Sequence, residues 1–238
     1  MSLYRDEGVV LRTMRLGEAD RIVTMLTRGH GKVRAVAKGV RRTRSKFGGR
    51  LEPLSHVALL CWAGRELDVV NQAEVHDAFR AVREDLGRMA KAFTVLEVAD
   101  QLCQERHANP RLFDMVLGAL RALEAHDAPL LVPAFCLKAL ALEGSGPVLD
   151  ACASCGADDA LVAFDLAEGG ALCRSCRRGR PLSGPALALV RRVLGGDLAA
   201  ALAEPDGPVV AEVTELATEA MEVHLDRRLR SVRASPTA

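Results

Sequence analysis

Arg21-Ile22-Val23-Thr24-Met25-Leu26 and Val33-Arg34-Ala35-Val36-Ala37 flank the segment Thr27-Arg28-Gly29-His30-Gly31-Lys32, and this stretch decides the fold. Both flanks are short and rich in β-branched residues, and the glycines between them supply turn chemistry, so the stretch predicts a hairpin. Outward from it, Gly8-Val9-Val10-Leu11 precedes, while Val57-Ala58-Leu59-Leu60-Cys61-Trp62 and Leu67-Asp68-Val69-Val70 follow. Gly17, Gly48-Gly49 and Gly64 separate these runs. Five short strands in so little chain predict a small closed barrel. The five-stranded OB-fold is the common barrel of this size that binds nucleic acid, and residues 1–78 are read as one.

The charge supports that reading only when it is mapped. The chain of 238 residues carries 32 basic and 31 acidic residues, a net charge of +1. From Arg21 to Leu51 there is no acidic residue but ten basic ones: Arg21, Arg28, Lys32, Arg34, Lys38, Arg41, Arg42, Arg44, Lys46 and Arg50. The bland reading of a charge run is a solvated loop without a partner. A single-sign region on a barrel instead fits a surface for phosphate. Its densest part, residues 38–50, reads as an exposed loop after the third strand. Phe47, Trp62 and Tyr4 are candidates to stack on a base, although each aromatic alone reads better as a packing residue. Aromatic residues are only 3% of the chain, so stacking is expected to be the minor term.

Beyond Asp77 the pattern becomes helical, which makes the fold class α+β. Leu86, Met89, Phe93, Leu96 and Cys103 recur at helical spacing after a start at Glu84 or Asp85. Asn109-Pro110 interrupts, and Leu112, Met115, Val116, Ala119, Leu120 and Leu123 form a second stripe. Residues 130–142 are apolar nearly all round, as in a helix at the centre of a bundle. Two further helices are expected over 184–202 and around Val209–Val223, followed by a disordered tail, Ser235-Pro236-Thr237-Ala238. Residues 79–238 are read as a helical domain with a cysteine module at about 150–182. No apolar run approaches the roughly 18 residues that span a bilayer, and the first residues lack the order of a signal peptide, so a cytoplasmic protein is expected.

Seven cysteines are present. Cys61, Cys103 and Cys136 sit singly in apolar runs and read as buried small hydrophobes. Cys152, Cys155, Cys173 and Cys176 form C-x2-C-x17-C-x2-C, the spacing of a tetrahedral zinc site. One structural Zn2+ is expected, since four thiolates leave no open position for water chemistry. Two disulfides are the alternative, disfavoured in a reducing compartment. Arg174, Arg177, Arg178 and Arg180 could offset the site's negative charge or touch phosphate. A nucleobase deaminase is rejected, because Leu172 rather than Pro precedes Cys173 and no H-x-E motif occurs. The histidines, His30, His56, His76, His107, His126 and His224, are scattered. No nucleophile elbow, P-loop or paired-carboxylate motif appears, so no catalytic residue is assigned and a non-enzyme is expected.

Glu7-Gly8-Val9-Val10-Leu11-Arg12, Gly17-Glu18-Ala19-Asp20-Arg21-Ile22-Val23-Thr24, Gly31–Gly39 and Phe47-Gly48-Gly49-Arg50-Leu51-Glu52-Pro53 resemble, in order, the bacterial DNA repair family RecO. The resemblance covers essentially the full chain. It implies an OB-fold, a helical domain and, in many members, a four-cysteine zinc module. It implies a recombination mediator of the RecF pathway that binds single- and double-stranded DNA, anneals strands and helps load RecA onto strands covered by single-strand-binding protein. Partners implied are RecR and the C-terminal tail of single-strand-binding protein, without nucleotide hydrolysis and in a nucleoid-associated setting. By position, Lys32, Arg34, Lys38, Arg41, Arg42, Arg44, Lys46 and Arg50 fall where the family's basic surface lies. An RNA-binding OB/zinc-ribbon protein in RNA processing or translation, and a protein-interaction scaffold whose basic loop meets an acidic partner, are the competing readings.

Overall fold

Runs of valine and isoleucine punctuated by glycine build β1 (Leu3–Leu16), β2 (Asp20–Thr27), β3 (Gly31–Ala37), β4 (His56–Trp62) and β5 (Asp68–Asp77). The computed structural model describes residues 2–233, and the tail expected to be disordered lies outside the described residues. The strands close into a barrel in the order β1-β2-β3-β5-β4. All neighbours are antiparallel except β3 and β5, which meet in parallel at Ala35/Asp68 and Val36/Val69. This is the OB-type barrel expected from the strand pattern.

At 14 residues, β1 is far longer than its apolar centre announces. Its first half pairs with β4 and its second with β2, and Gly8 faces Val57 on one side and Thr27 on the other. Arg5-Asp6-Glu7 has little strand propensity of its own; barrel closure imposes the conformation. Along β3 the pleat sends Val33, Ala35 and Ala37 inward, while Lys32, Arg34 and Val36 stay partly exposed. Val10, Val23, Met25, Val57, Leu59 and Val70 complete the interior, joined by Phe47 and Leu51 from the loop between β3 and β4.

The barrel forms one compact unit with α1 (Arg80–Glu84), α2 (Leu86–Leu102), α3 (Pro110–Ala125) and α8 (Arg230–Arg233). Asp85 caps α2 by accepting from the Arg88 N–H at 2.8 Å, and Asn109 caps α3 by accepting from the Leu112 N–H at 3.0 Å. Such caps satisfy backbone donors that the helix itself cannot. The segment after α2 runs along β3: the Lys32 N–H donates to the Gln104 carbonyl and the Arg106 N–H to the Lys32 carbonyl, both at 3.0 Å. This approach requires Gly31, at φ +66°, where a Cβ would lie 1.9 Å from the His107 carbonyl oxygen. Asp68, wholly buried, accepts from the Tyr4 hydroxyl at 2.5 Å, the Gly64 N–H at 2.9 Å and the Arg106 guanidinium at 2.8 Å. Against α2, the Glu97 carboxylate accepts from the N–H groups of Arg230 at 2.9 Å and Ser231 at 2.8 Å.

The second unit runs from Asp127 to Leu229. Its centre is α4 (Leu131–Leu142), buried on nearly every side as its apolar run predicts. It also holds β6 (Leu161–Asp165), β7 (Gly170–Cys173), β8 (Arg180–Pro181), α5 (Gly184–Leu194), α6 (Leu198–Leu202) and α7 (Pro208–His224). The single helix expected over 184–202 is two, because Gly195-Gly196 breaks it, with Gly196 at φ +101°. Cys61, Cys103 and Cys136 are buried, and burial pushes each thiol up to about 12, as inert packing residues. Among the described residues, no helix is long and apolar enough to cross a membrane.

Candidate nucleic-acid interface and metal centre

Residues 38–55 connect β3 to β4 through successive turns rather than a helix: Arg42 N–H to Gly39 O at 3.1 Å, Ser45 to Arg42 at 3.0 Å, Arg50 to Phe47 at 3.1 Å. Phe47 and Leu51, 1% and 2% exposed, plug this loop into the barrel interior. Phe47 is therefore a core anchor and is withdrawn as a stacking residue. The Tyr4 hydroxyl is committed to Asp68, and burial first, then that bond, push its pKa upward. Trp62, 39% exposed at the end of β4, keeps a free ring surface.

The basic residues predicted for DNA divide into two groups. Lys32 reaches the Asp100 backbone carbonyl and sits 3.1 Å from its carboxylate, and Arg34 lies 3.8 Å from Glu105. Their charges are answered within the molecule. Lys38, Arg42 and Arg44 are exposed and make no ion pair among the described residues. The Arg41 guanidinium donates to the carbonyls of Gly17 and Glu18 at 3.2 and 2.8 Å, Lys46 to that of Asn71 at 2.7 Å, and Arg50 to that of Lys46 at 2.6 Å. A carbonyl orients a cation without cancelling its charge, so these three remain attractive to phosphate. The loop thus offers six uncompensated charges, three of them oriented by carbonyls.

Sequence reading missed a neighbour of this loop. The Arg41 N–H donates to the Ala19 carbonyl at 3.0 Å and the Gly39 N–H to the Asp20 carboxylate at 2.7 Å, tying the loop to the β1–β2 turn. There Met14, Arg15 and Leu16 are consecutive and all exposed, Met14 by 50% and Leu16 by 38%. Successive strand residues point to opposite faces, so exposure of all three means that the hairpin tip projects into solvent. The signal was the length of β1, which polar residues concealed.

In the second unit, the metal-ligand pattern is brought together. One sulfur from each of Cys152, Cys155, Cys173 and Cys176 lies within 4.8 Å of the others. The Cys155 and Cys173 sulfurs are 3.8 Å apart. A disulfide would need about 2.05 Å. A tetrahedron of zinc–thiolate bonds of about 2.3 Å has sulfur–sulfur edges of about 3.8 Å. The set therefore fits a tetrahedral ion and not a pair of disulfides. The first pair sits in a turn closed by the Gly156 N–H donating to the Cys152 carbonyl at 2.8 Å, and β7 ends on Cys173. The backbone N–H of Cys173, then those of Cys155 and Ser154, pull the Cys152 thiol down to about 6. Sharing with the Cys155 and Cys173 sulfurs pushes the Cys176 thiol up to about 12. A metal ion held there would take all four sulfurs as thiolates. Arg178 lies against Glu168 and 3.9 Å from Asp165, while Arg180 pairs with Glu215 at 2.6 Å and Glu219 at 2.9 Å. Those two arginines serve carboxylates, and Arg174 and Arg177 stay exposed.

The same unit contains an apolar cavity of about 290 Å³, lined by Leu137, Leu140, Pro147, Phe164, Leu216 and Val223, with His224 also on its wall.

Comparison with known protein families matches residues 1–79 to the recombination protein O N-terminal domain and residues 83–233 to the recombination protein O C-terminal domain. Together they cover nearly the whole chain, in the order barrel then helices. The barrel with its basic loop, the helical part and the cysteine cluster are thus parts of one architecture, and the chain belongs to the recombination protein O family of non-catalytic mediators of DNA recombination and repair.

Proposed function

We propose that the protein binds single- and double-stranded DNA through Lys38, Arg41, Arg42, Arg44, Lys46 and Arg50, with Lys32 and Arg34 as lesser contributors, and anneals complementary strands. The observation that carries this reading is the anchored loop of uncompensated cations. Each contacted phosphate releases counterions, which gives sequence-tolerant, salt-sensitive affinity. Two strands brought to such a surface lose much of their mutual repulsion, and base pairing then does the rest without a catalytic group. Met14, Leu16 and Trp62 add apolar area for unpaired bases. Zn2+ on the four cysteines braces the second unit.

In this reading the protein acts on strands covered by single-strand-binding protein, associates with RecR and helps RecA load, in the cytoplasm near the nucleoid. We place the acidic tail of single-strand-binding protein in the apolar cavity of the second unit, whose lining suits apolar side chains and whose His224 can meet a carboxylate. Val223 is 58% exposed, so Val223→Glu leaves the fold intact and repels an acidic peptide. Tail-peptide binding that survives this substitution removes the assignment.

The function is tested by annealing and DNA binding across a salt series. Affinity should fall steeply as salt rises, and Arg41, Arg42 and Arg44 changed together to Glu should abolish annealing at moderate salt. Salt-independent binding, or an unchanged triple variant, would sink the proposal. Stronger binding to RNA than to DNA of the same sequence would favour a role in RNA processing.

A further inference from the structure

The barrel gathers two of the apparently scattered histidines. His56 opens β4 and faces Val9 of β1, which places Glu7, two residues earlier, on the same face diagonal to it. On the other side His56 faces Asp77 and Val57 faces Val75, so β5 carries one extra residue between those pairs, and it is His76. Such a bulge re-aims a side chain. One donor atom each from Glu7, His56 and His76 consequently lies within 4.8 Å of the others. The His56 Nε2 is 3.2 Å from the Glu7 Oε2, and the two imidazole rings are 4.9 Å apart between centroids.

We propose that Glu7, His56 and His76 form a second metal site, separate from the cysteines, for a borderline divalent transition ion such as Zn2+, Co2+ or Ni2+. Two imidazoles and a carboxylate are the donor set such ions take, with water completing the shell. Three features prepare the donors. Arg28 holds the other Glu7 oxygen at 2.5 Å and is itself held by Asp114 at 2.6 Å, which fixes the carboxylate as a supporting shell does around a metal ligand. His56 is 4% exposed, packs edge-on to Phe113 at 6.0 Å, and has a buried Nδ1 without a hydrogen-bond partner. His76 is exposed and opens the site to ions in solution. Arg28 and the Arg121 guanidinium add positive charge nearby, so this site is weaker than four thiolates. An ion there staples β1, β4 and β5 beside α3, which packs on β1 and, through Phe113, on His56.

The test is metal titration of tag-free, full-length protein, followed by calorimetry and by Co2+ absorption. Two equivalents are expected: a tight one with thiolate-to-metal charge transfer, and a weaker one without it. His76→Ala, at an exposed position, should weaken the second by a hundredfold or more and leave the first, the metal-free melting temperature and DNA binding unchanged. Glu7→Gln should weaken the same equivalent. A wild-type protein taking only the thiolate equivalent, or a second equivalent that survives His76→Ala, would overturn the site.

Discussion

The basic loop of residues 38–50 and the cysteine module around residues 150–182 are both rich in arginine, yet they deploy it in opposite ways. In the loop, the guanidinium groups lean on carbonyls or on nothing, and their charge stays available. In the module, Arg178 and Arg180 lie against Asp165, Glu168, Glu215 and Glu219 and are spent on structure. A count of basic residues does not separate these cases; the position of the nearest carboxylate does. The two regions are also rigid for different reasons. The loop is held by buried Phe47 and Leu51, whereas four sulfurs at metal-binding spacing organise the module.

The sharpest way to break the comparison is to remove the module's brace. Stripping metal with a chelator, or Cys173→Ser, should abolish the cooperative unfolding transition of the second unit, since structural zinc contributes on the order of 10 kcal/mol in small zinc modules. DNA binding by the barrel should persist. Calorimetric melting alongside a DNA titration checks both, and an apo-protein of undiminished heat stability breaks the contrast. Phe47→Ala comes next. It should destabilise the barrel by about 3–5 kcal/mol, the usual effect of truncating a buried Phe, and weaken DNA binding by freeing the loop. Changing Arg41, Arg42 and Arg44 to Glu should leave the melting temperature almost unmoved. It should lower single-strand affinity by roughly a hundredfold, about 2.7 kcal/mol, and flatten the logarithmic salt slope by about 2. Lys32→Gln and Lys38→Gln sharpen the picture within the predicted residues. The first should cost about 1–3 kcal/mol of stability, because Lys32 bonds to Asp100, with little change in salt slope. The second should change only the slope, by about 0.7. The smallest effect belongs to Arg178→Gln with Arg180→Gln: under about 1 kcal/mol of stability for each exposed pair, and unaltered DNA affinity.

The five strands were legible because β-branched runs and glycine turns are local signals, and the gathering of the four cysteines because two close pairs leave few geometries. What escaped was set by distant residues. Lys32 and Lys38 look alike until Asp100 arrives beside only one of them. Phe47, within Lys46-Phe47-Gly48-Gly49, has the surroundings of an exposed loop, and only the barrel's open interior draws it inward. The length of β1 was hidden because pairing with β4, not their own side chains, makes residues 3–7 extended. Glu7, His56 and His76 meet through a bulge that no spacing announces.

The helix α8 has a further consequence. The chain leaves the first unit after His126 and re-enters it at Arg230, where Arg230 and Ser231 donate to Glu97. The second unit is therefore an insertion, and the first cannot be completed until the ribosome has passed residue 231. A truncation after Leu229, meant to trim the far end of the protein, would instead leave α2 without its closing contacts. During synthesis, the barrel unit waits for the whole of its companion before α8 arrives.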